Sequence, residues 1–155
     1  GIHIKYESHL IRQPRPDAPF HPHFLMDNNV MILTIFPGIR KEVVDTMLNV
    51  PGLRAVVMKT FGAGNAPQKE WFVDSIRRLV NRGVIVVNIT QCYKGTVEMR
   101  RYETGLQLLQ AGVINGYDST VESMITKLMF LLGHDYPHNE IVRLMNKSIA
   151  GEITV

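Results

Sequence analysis

The sequence predicts an α/β domain: a three-layer α/β/α sandwich around a small parallel sheet of about four strands. Two observations lead there. Short apolar runs alternate with longer stretches whose apolar residues fall at helical spacing. The short runs are apolar at almost every position, as strands buried on both faces are.

Residues 1–29 read as an arm rather than a core element. "HIKY" (3–6) suits a short strand, and the segment after it carries Pro14, Pro16, Pro19 and Pro22, which hold the chain extended. The domain then occupies 30–155. "VMILTIF" (30–36) is the first strand. Residues 38–50 form a helix with Val43, Val44, Met47 and Leu48 on one face. "LRAVVMKT" (53–60) is the second strand. A helix over 67–83 starts on Pro67, buries Phe72, Ile76, Leu79 and Val80, and is capped by Gly83. "VIVVNIT" (84–90) is a third strand, 97–112 a helix, and "VING" (113–116) a short fourth strand. Ser119 and Glu122 make a capping box for a helix over 119–133, and 137–149 is a final amphipathic helix. Parallel strands joined this way imply right-handed crossovers.

Composition narrows the function classes. The 155 residues carry a net charge of only +3, too little to point to nucleic acid. Cys92 is the single cysteine, so no internal disulfide forms. No apolar stretch reaches the roughly 18 residues of a membrane span, and the first residues lack the apolar core of a signal peptide. A chain that opens on Gly1 rather than Met reads as part of a longer protein.

In a parallel sheet of this kind, ligands approach the carboxyl ends of the strands. The loops there are "FPG", "TFGAGNAP" and "TQCYKG", so a site would draw on residues 59–65 and 90–95. Gly62 and Gly64 suit either a cradle for an anion or amino acid, or a tight strand-to-helix turn. Pro67 stands where a dinucleotide fingerprint needs its third glycine. Asn65 can bond a ligand with both halves of its amide, or satisfy the loop itself. Lys59 can meet a carboxylate or stay solvated. Cys92 lacks a sequence partner that would make it a nucleophile. His21 and His23, separated by Pro22, have no cluster of ligating residues beside them, so no metal is expected. The residues supply a ligand edge without a catalytic set.

"KTFGAGNAPQ", the segment "GVIVVNITQCYKGTVEMRRYETGLQLLQAGVINGYDSTVESMITKLMFLLG" and the ending "GEITV" together resemble the C-terminal domain of type I, cytoplasmic-type bacterial L-asparaginases. The likeness runs from about Val30 to the end, and the Pro-rich arm fits the linker before that domain. The resemblance implies hydrolysis of L-asparagine to L-aspartate and ammonia without a cofactor. It places the catalytic threonines in an N-terminal domain whose T-G-G-T-I and T-D motifs are absent from these residues. No catalytic residue is therefore expected here. It implies further that Asn65 contacts substrate at a partner subunit's active site in a homotetramer. At an allosteric site for asparagine, Lys59, Asn65 and Cys92 take the family's positions, with Lys59 in place of an arginine. Lysine keeps the charge but not the two-pronged grip on a carboxylate. The expected partners are L-asparagine, the N-terminal domain and further subunits, with neither nucleic acid nor membrane. Two alternatives stay open: the asparaginase-like subunit of the archaeal amidotransferase that makes glutaminyl-tRNA, and a non-catalytic module that binds an amino acid or a protein.

Overall fold

A computed structural model describes Tyr6 and residues 8–11, 13–17 and 19–154. Four strands, β1 (Val30–Thr34), β2 (Ala55–Thr60), β3 (Ile85–Thr90) and β4 (Ile114–Asn115), lie side by side in chain order. Every pair is parallel, with Val30 opposite Ala55, Ala55 opposite Ile85 and Val87 opposite Ile114. Five helices cover the sheet: α1 (Lys41–Leu48), α2 (Glu70–Asn81), α3 (Glu103–Gln110), α4 (Val121–Gly133) and α5 (His138–Met145).

Strand alternation sorts the side chains into two cores. Leu33, Val56, Met58 and Val86 face α1, α2 and α3, where they meet Val44, Phe72, Ile76, Leu79 and Leu108. Ala55, Val57, Ile85, Val87 and Ile89 face α4 and α5, where they meet Met124, Leu128, Leu131, Ile141 and Met145. All six residues of β3 are buried, the polar Asn88 and Thr90 included, as a strand covered on both faces requires. The three-layer sandwich and the four-stranded parallel sheet match the sequence prediction.

The boundaries depart from it where backbone groups are engaged elsewhere. α2 begins at Glu70 instead of Pro67 because the Lys69 N–H turns back to the Pro67 carbonyl. Gly83 does follow the helix, at φ +86°. α3 begins at Glu103, six residues later than the periodicity suggests. The N–H groups of Val97 and Glu98 donate instead to Tyr117 and Ala63, and a Cβ on Gly105 would lie 2.4 Å from the Met99 carbonyl oxygen folded over it. The capping box shifts by one: Thr120, not Ser119, caps α4 by accepting the Ser123 N–H. α5 ends at Met145, where the Asn146 amide bonds back to the Val142 carbonyl. The strand expected over 3–6 falls mostly outside the described residues.

The arm is pinned where it meets the domain. Asp27 pairs with Arg54 at 2.5 Å, and its N–H donates to the Met129 carbonyl. The Asn29 N–H and the Arg54 guanidinium hold the Asp27 carboxyl below its usual pKa, with burial alone opposing them. Gly133 makes this approach possible, since a Cβ there would lie 2.7 Å from the Leu25 carbonyl. At the other end, the last residues fold onto α4. Glu152, 8% exposed, pairs at 2.5 Å with Lys127, 2% exposed. Lys127 also donates to the Lys147 carbonyl at 2.7 Å, and Glu152 accepts the N–H groups of Ile149 and Ala150. Burial works against the Glu152 anion, but the Lys127 ammonium and these N–H groups outweigh it and hold its pKa at about 2.

Candidate ligand-binding edge

The loops after β2 and β3 meet at the carboxyl edge of the sheet. Residues 61–65 form a closed hairpin: Phe61 and Asn65 exchange two backbone hydrogen bonds, each 2.8 Å. The turn needs left-handed backbone at Gly62 (φ +48°) and Gly64 (φ +105°), which glycine adopts at little cost. Gly64 must also be small, because a Cβ would come within 2.7 Å of Val97 Cγ1.

Three polar side chains carry this hairpin. Thr60, Asn88 and Thr90 occupy alternate positions on the face of the sheet that carries Val56, Met58 and Val86, and all three are buried. The Thr60 hydroxyl donates to Asn88 Oδ1 at 2.6 Å. Asn88 Nδ2 donates to the Gly64 carbonyl at 3.0 Å, and Thr90 Oγ1 to the Gly62 carbonyl at 2.5 Å. Thr90 Oγ1 also accepts the Cys92 N–H at 2.9 Å, which joins the glycine hairpin to the turn of residues 92–95. Gln91 ties in the third loop: its Nε2 donates to the carbonyls of Ile35 and Lys59 at the ends of β1 and β2.

Against this geometry the sequence-predicted residues fall as follows. The main chain of Asn65 closes the hairpin, and its half-buried carboxamide has no hydrogen-bond partner among the described residues. The loop is thus satisfied through the Asn65 backbone and not through its carboxamide. Cys92 is exposed on the neighbouring turn. Lys59 is half-buried on β2 and lies on the opposite face, with Ala55 and Val57. Its ammonium meets no carboxylate among the described residues, and a flexible four-carbon stem lets it reach past the strand end. Thus Asn65 and Cys92 are brought to one edge by a shared network, while Lys59 approaches from the other side. Sequence reasoning included Thr60 and Gln91 in its ranges without singling them out, and it passed over Asn88. The available signal was a lone asparagine inside "VIVVNIT", since a buried amide in such a run has to be paired.

Elsewhere His134 makes aromatic contacts with Phe130 (4.2 Å between ring centres) and with His23 (5.3 Å). No cluster of three or more His, Cys, Asp or Glu able to hold a metal occurs among the described residues. No described helix is long and apolar enough to cross a membrane.

The chain is a three-layer α/β domain with a parallel sheet and a buried polar network at the sheet's carboxyl edge. Residues 29–145 match the family profile of the glutaminase/asparaginase C-terminal domain, and the chain belongs to that family. It is 38% identical to L-asparaginase 1 of Escherichia coli over 99% of this chain and 45% of that protein. The crystal structure of L-asparaginase I from Vibrio cholerae superposes with a TM-score of 0.87 at 36% identity, covering 100% of this chain and 46% of that one. A component of the glutamyl-tRNA(Gln) amidotransferase of Pyrococcus abyssi is 36% identical over 83% of this chain and 29% of that protein. The chain thus spans about half the length of the asparaginases it matches.

Proposed function

We propose that this chain is the C-terminal part of a cytoplasmic L-asparaginase, which hydrolyses the side-chain amide of L-asparagine to L-aspartate and ammonia. The observation that carries the reading is the carboxamide of Asn65, unpaired among the described residues and held at the carboxyl edge by a loop whose own needs are met by its backbone and by Asn88 and Thr90. An amide can both donate to and accept from an amino-acid ligand. Attack on an amide carbonyl needs a nucleophile and donors aligned on the oxyanion. In this reading both come from an N-terminal domain, and the present residues contribute contacts and subunit surface in a homotetramer. Asn65 contacts substrate in a partner's active site. Lys59, Asn65 and Cys92 form an effector site, where Lys59 meets the α-carboxylate as a point charge. The asparaginase match extends over 99% of the chain, arm and tail included, whereas the amidotransferase component matches 83%, which favours the hydrolase reading.

The test is ammonia release from L-asparagine. The 155-residue chain alone releases none above a heat-denatured control. In the longer protein that contains it, Asn65→Ala lowers kcat/KM by about tenfold or more, the effect of removing one well-placed hydrogen bond. Full activity of that variant, or turnover by the chain alone, overturns the assignment.

A further inference from the structure

Asn88 is fully buried in the middle of the sheet, between Val87 and Ile89. A carboxamide there is costly unless each half is used. Both halves are used, and only one orientation serves. The Gly64 carbonyl can only accept, so Nδ2 must face it, which leaves Oδ1 for the hydroxyl of the equally buried Thr60.

The consequence falls on a single peptide unit. The carbonyl of Gly64 and the N–H of Asn65 belong to the same planar group. Asn88 holds the carbonyl at 3.0 Å, and the Phe61 carbonyl holds the N–H at 2.8 Å. With both edges clamped, the plane cannot rotate, and that plane sets the direction in which the Asn65 side chain leaves the backbone. The fit is close, since a Cβ on Gly64 would stand 3.1 Å from Asn88 Nδ2.

We propose that Asn88 and Thr60 are positioning residues, which orient the Asn65 carboxamide toward an amino-acid ligand before that ligand arrives. Thr60 acts through Asn88, Asn88 through the peptide joining Gly64 to Asn65, and neither touches the ligand. The inference rests on the reading of Asn65 as a ligand contact and deepens it.

The experiment compares the longer protein that contains this chain with its variants Thr60→Val, Thr60→Ser and, as a core control on the opposite face of the sheet, Ile89→Val. Amide NMR spectra follow Phe61, Gly64 and Asn65, side-chain NH2 of Asn65 included, and a titration follows L-asparagine. Thr60→Val removes only the hydroxyl and leaves Asn88 without its orienting partner. The Gly64 and Asn65 resonances move, and L-asparagine binding weakens by about tenfold, as expected for one mis-set hydrogen bond. Thr60→Ser restores both. Ile89→Val lowers the melting temperature and moves neither. Unchanged Gly64 and Asn65 signals in Thr60→Val overturn the proposal, as does an equal loss of affinity in Ile89→Val. If the unaltered longer protein takes up no L-asparagine, the ligand reading of Asn65 falls. The resonances then decide alone: displacement reversed by Thr60→Ser upholds the positioning role, and no displacement overturns it. Should Thr60→Val not fold, Asn88→Ser, whose shorter side chain withdraws the donor from Gly64, is read in the same way.

Discussion

Two buried polar networks stand on opposite faces of the sheet, and they are built from different chemistry. At the carboxyl edge, Thr60, Asn88 and Thr90 are neutral and use their bonds to shape a loop. On the other face, Lys127 and Glu152 are charged and use theirs to fasten the end of the chain to α4. A neutral network costs little to bury once paired, and its yield is a fixed geometry. A charged pair costs several kcal/mol per ion to desolvate, so it punishes the loss of either member far more than it rewards the presence of both. The first suits an edge whose shape matters, the second a closure that must hold as a unit.

The largest expected effect comes from splitting the charged pair. Lys127→Met strands the Glu152 carboxylate and lowers stability by about 3–5 kcal/mol in urea titrations. Adding Glu152→Gln to it recovers a good part of that loss. A double variant as unstable as the sum of the singles would break the contrast between the two networks. Acid probes the same pair without mutation. Glu152 is held at about 2 against an ordinary value of 4.5, so its contribution is complete above pH 4.5 and is lost as pH falls toward 2. Melting temperatures measured across that window should fall less steeply in the double variant than in the unaltered chain.

At the neutral edge the effects are smaller. Gly64→Ala combines a φ of +105° with a 2.7 Å approach to Val97, and costs about 2 kcal/mol. A neutral result there would mean that the hairpin yields, and the comparison would lose its rigid member. Gly133→Ala pushes the arm off α4 and costs about 1 kcal/mol, read out as faster hydrogen exchange at the Asp27 N–H. Cys92→Ser, exposed and held only through its backbone, changes stability by less than about 0.5 kcal/mol.

Much of the fold was legible because its strands are apolar at most positions and its helices carry clear stripes. β3 and α2 show it best, since both faces of one and one face of the other are buried as the sequence suggests. Boundaries were legible only where local chemistry decides them. Gly83 closes α2 by its own backbone preference, and it was foreseen. The late start of α3 depends on the carbonyls of Tyr117 and Ala63, which are distant in sequence, and no periodicity reports them. Tyr102 shows the same limit. It falls inside the helix expected over 97–112, yet it precedes α3 and is 45% exposed. At the edge, glycine spacing revealed a loop, and the resemblance singled out Asn65 and Cys92 within it. Asn88 went unnoticed, and Thr60 was not singled out, because their significance lies in a pairing between neighbouring strands, set by register and not by any local pattern.

The anchorage of the arm has a mechanical corollary. Asp27 is fixed to Arg54 just before β2 begins, at the amino edge of the sheet, and the glycine hairpin lies at the far end of the same strand. A six-residue strand separates the two by roughly 20 Å. Turned as a rigid body about the tether, the domain would carry the hairpin as the tip of a lever. A tilt of about 5° at the fulcrum sweeps the tip through roughly 2 Å over that length, which is enough to make or break a hydrogen bond. A small rotation at the tether would thus displace the Asn65 carboxamide by about the distance over which a hydrogen bond is made or lost.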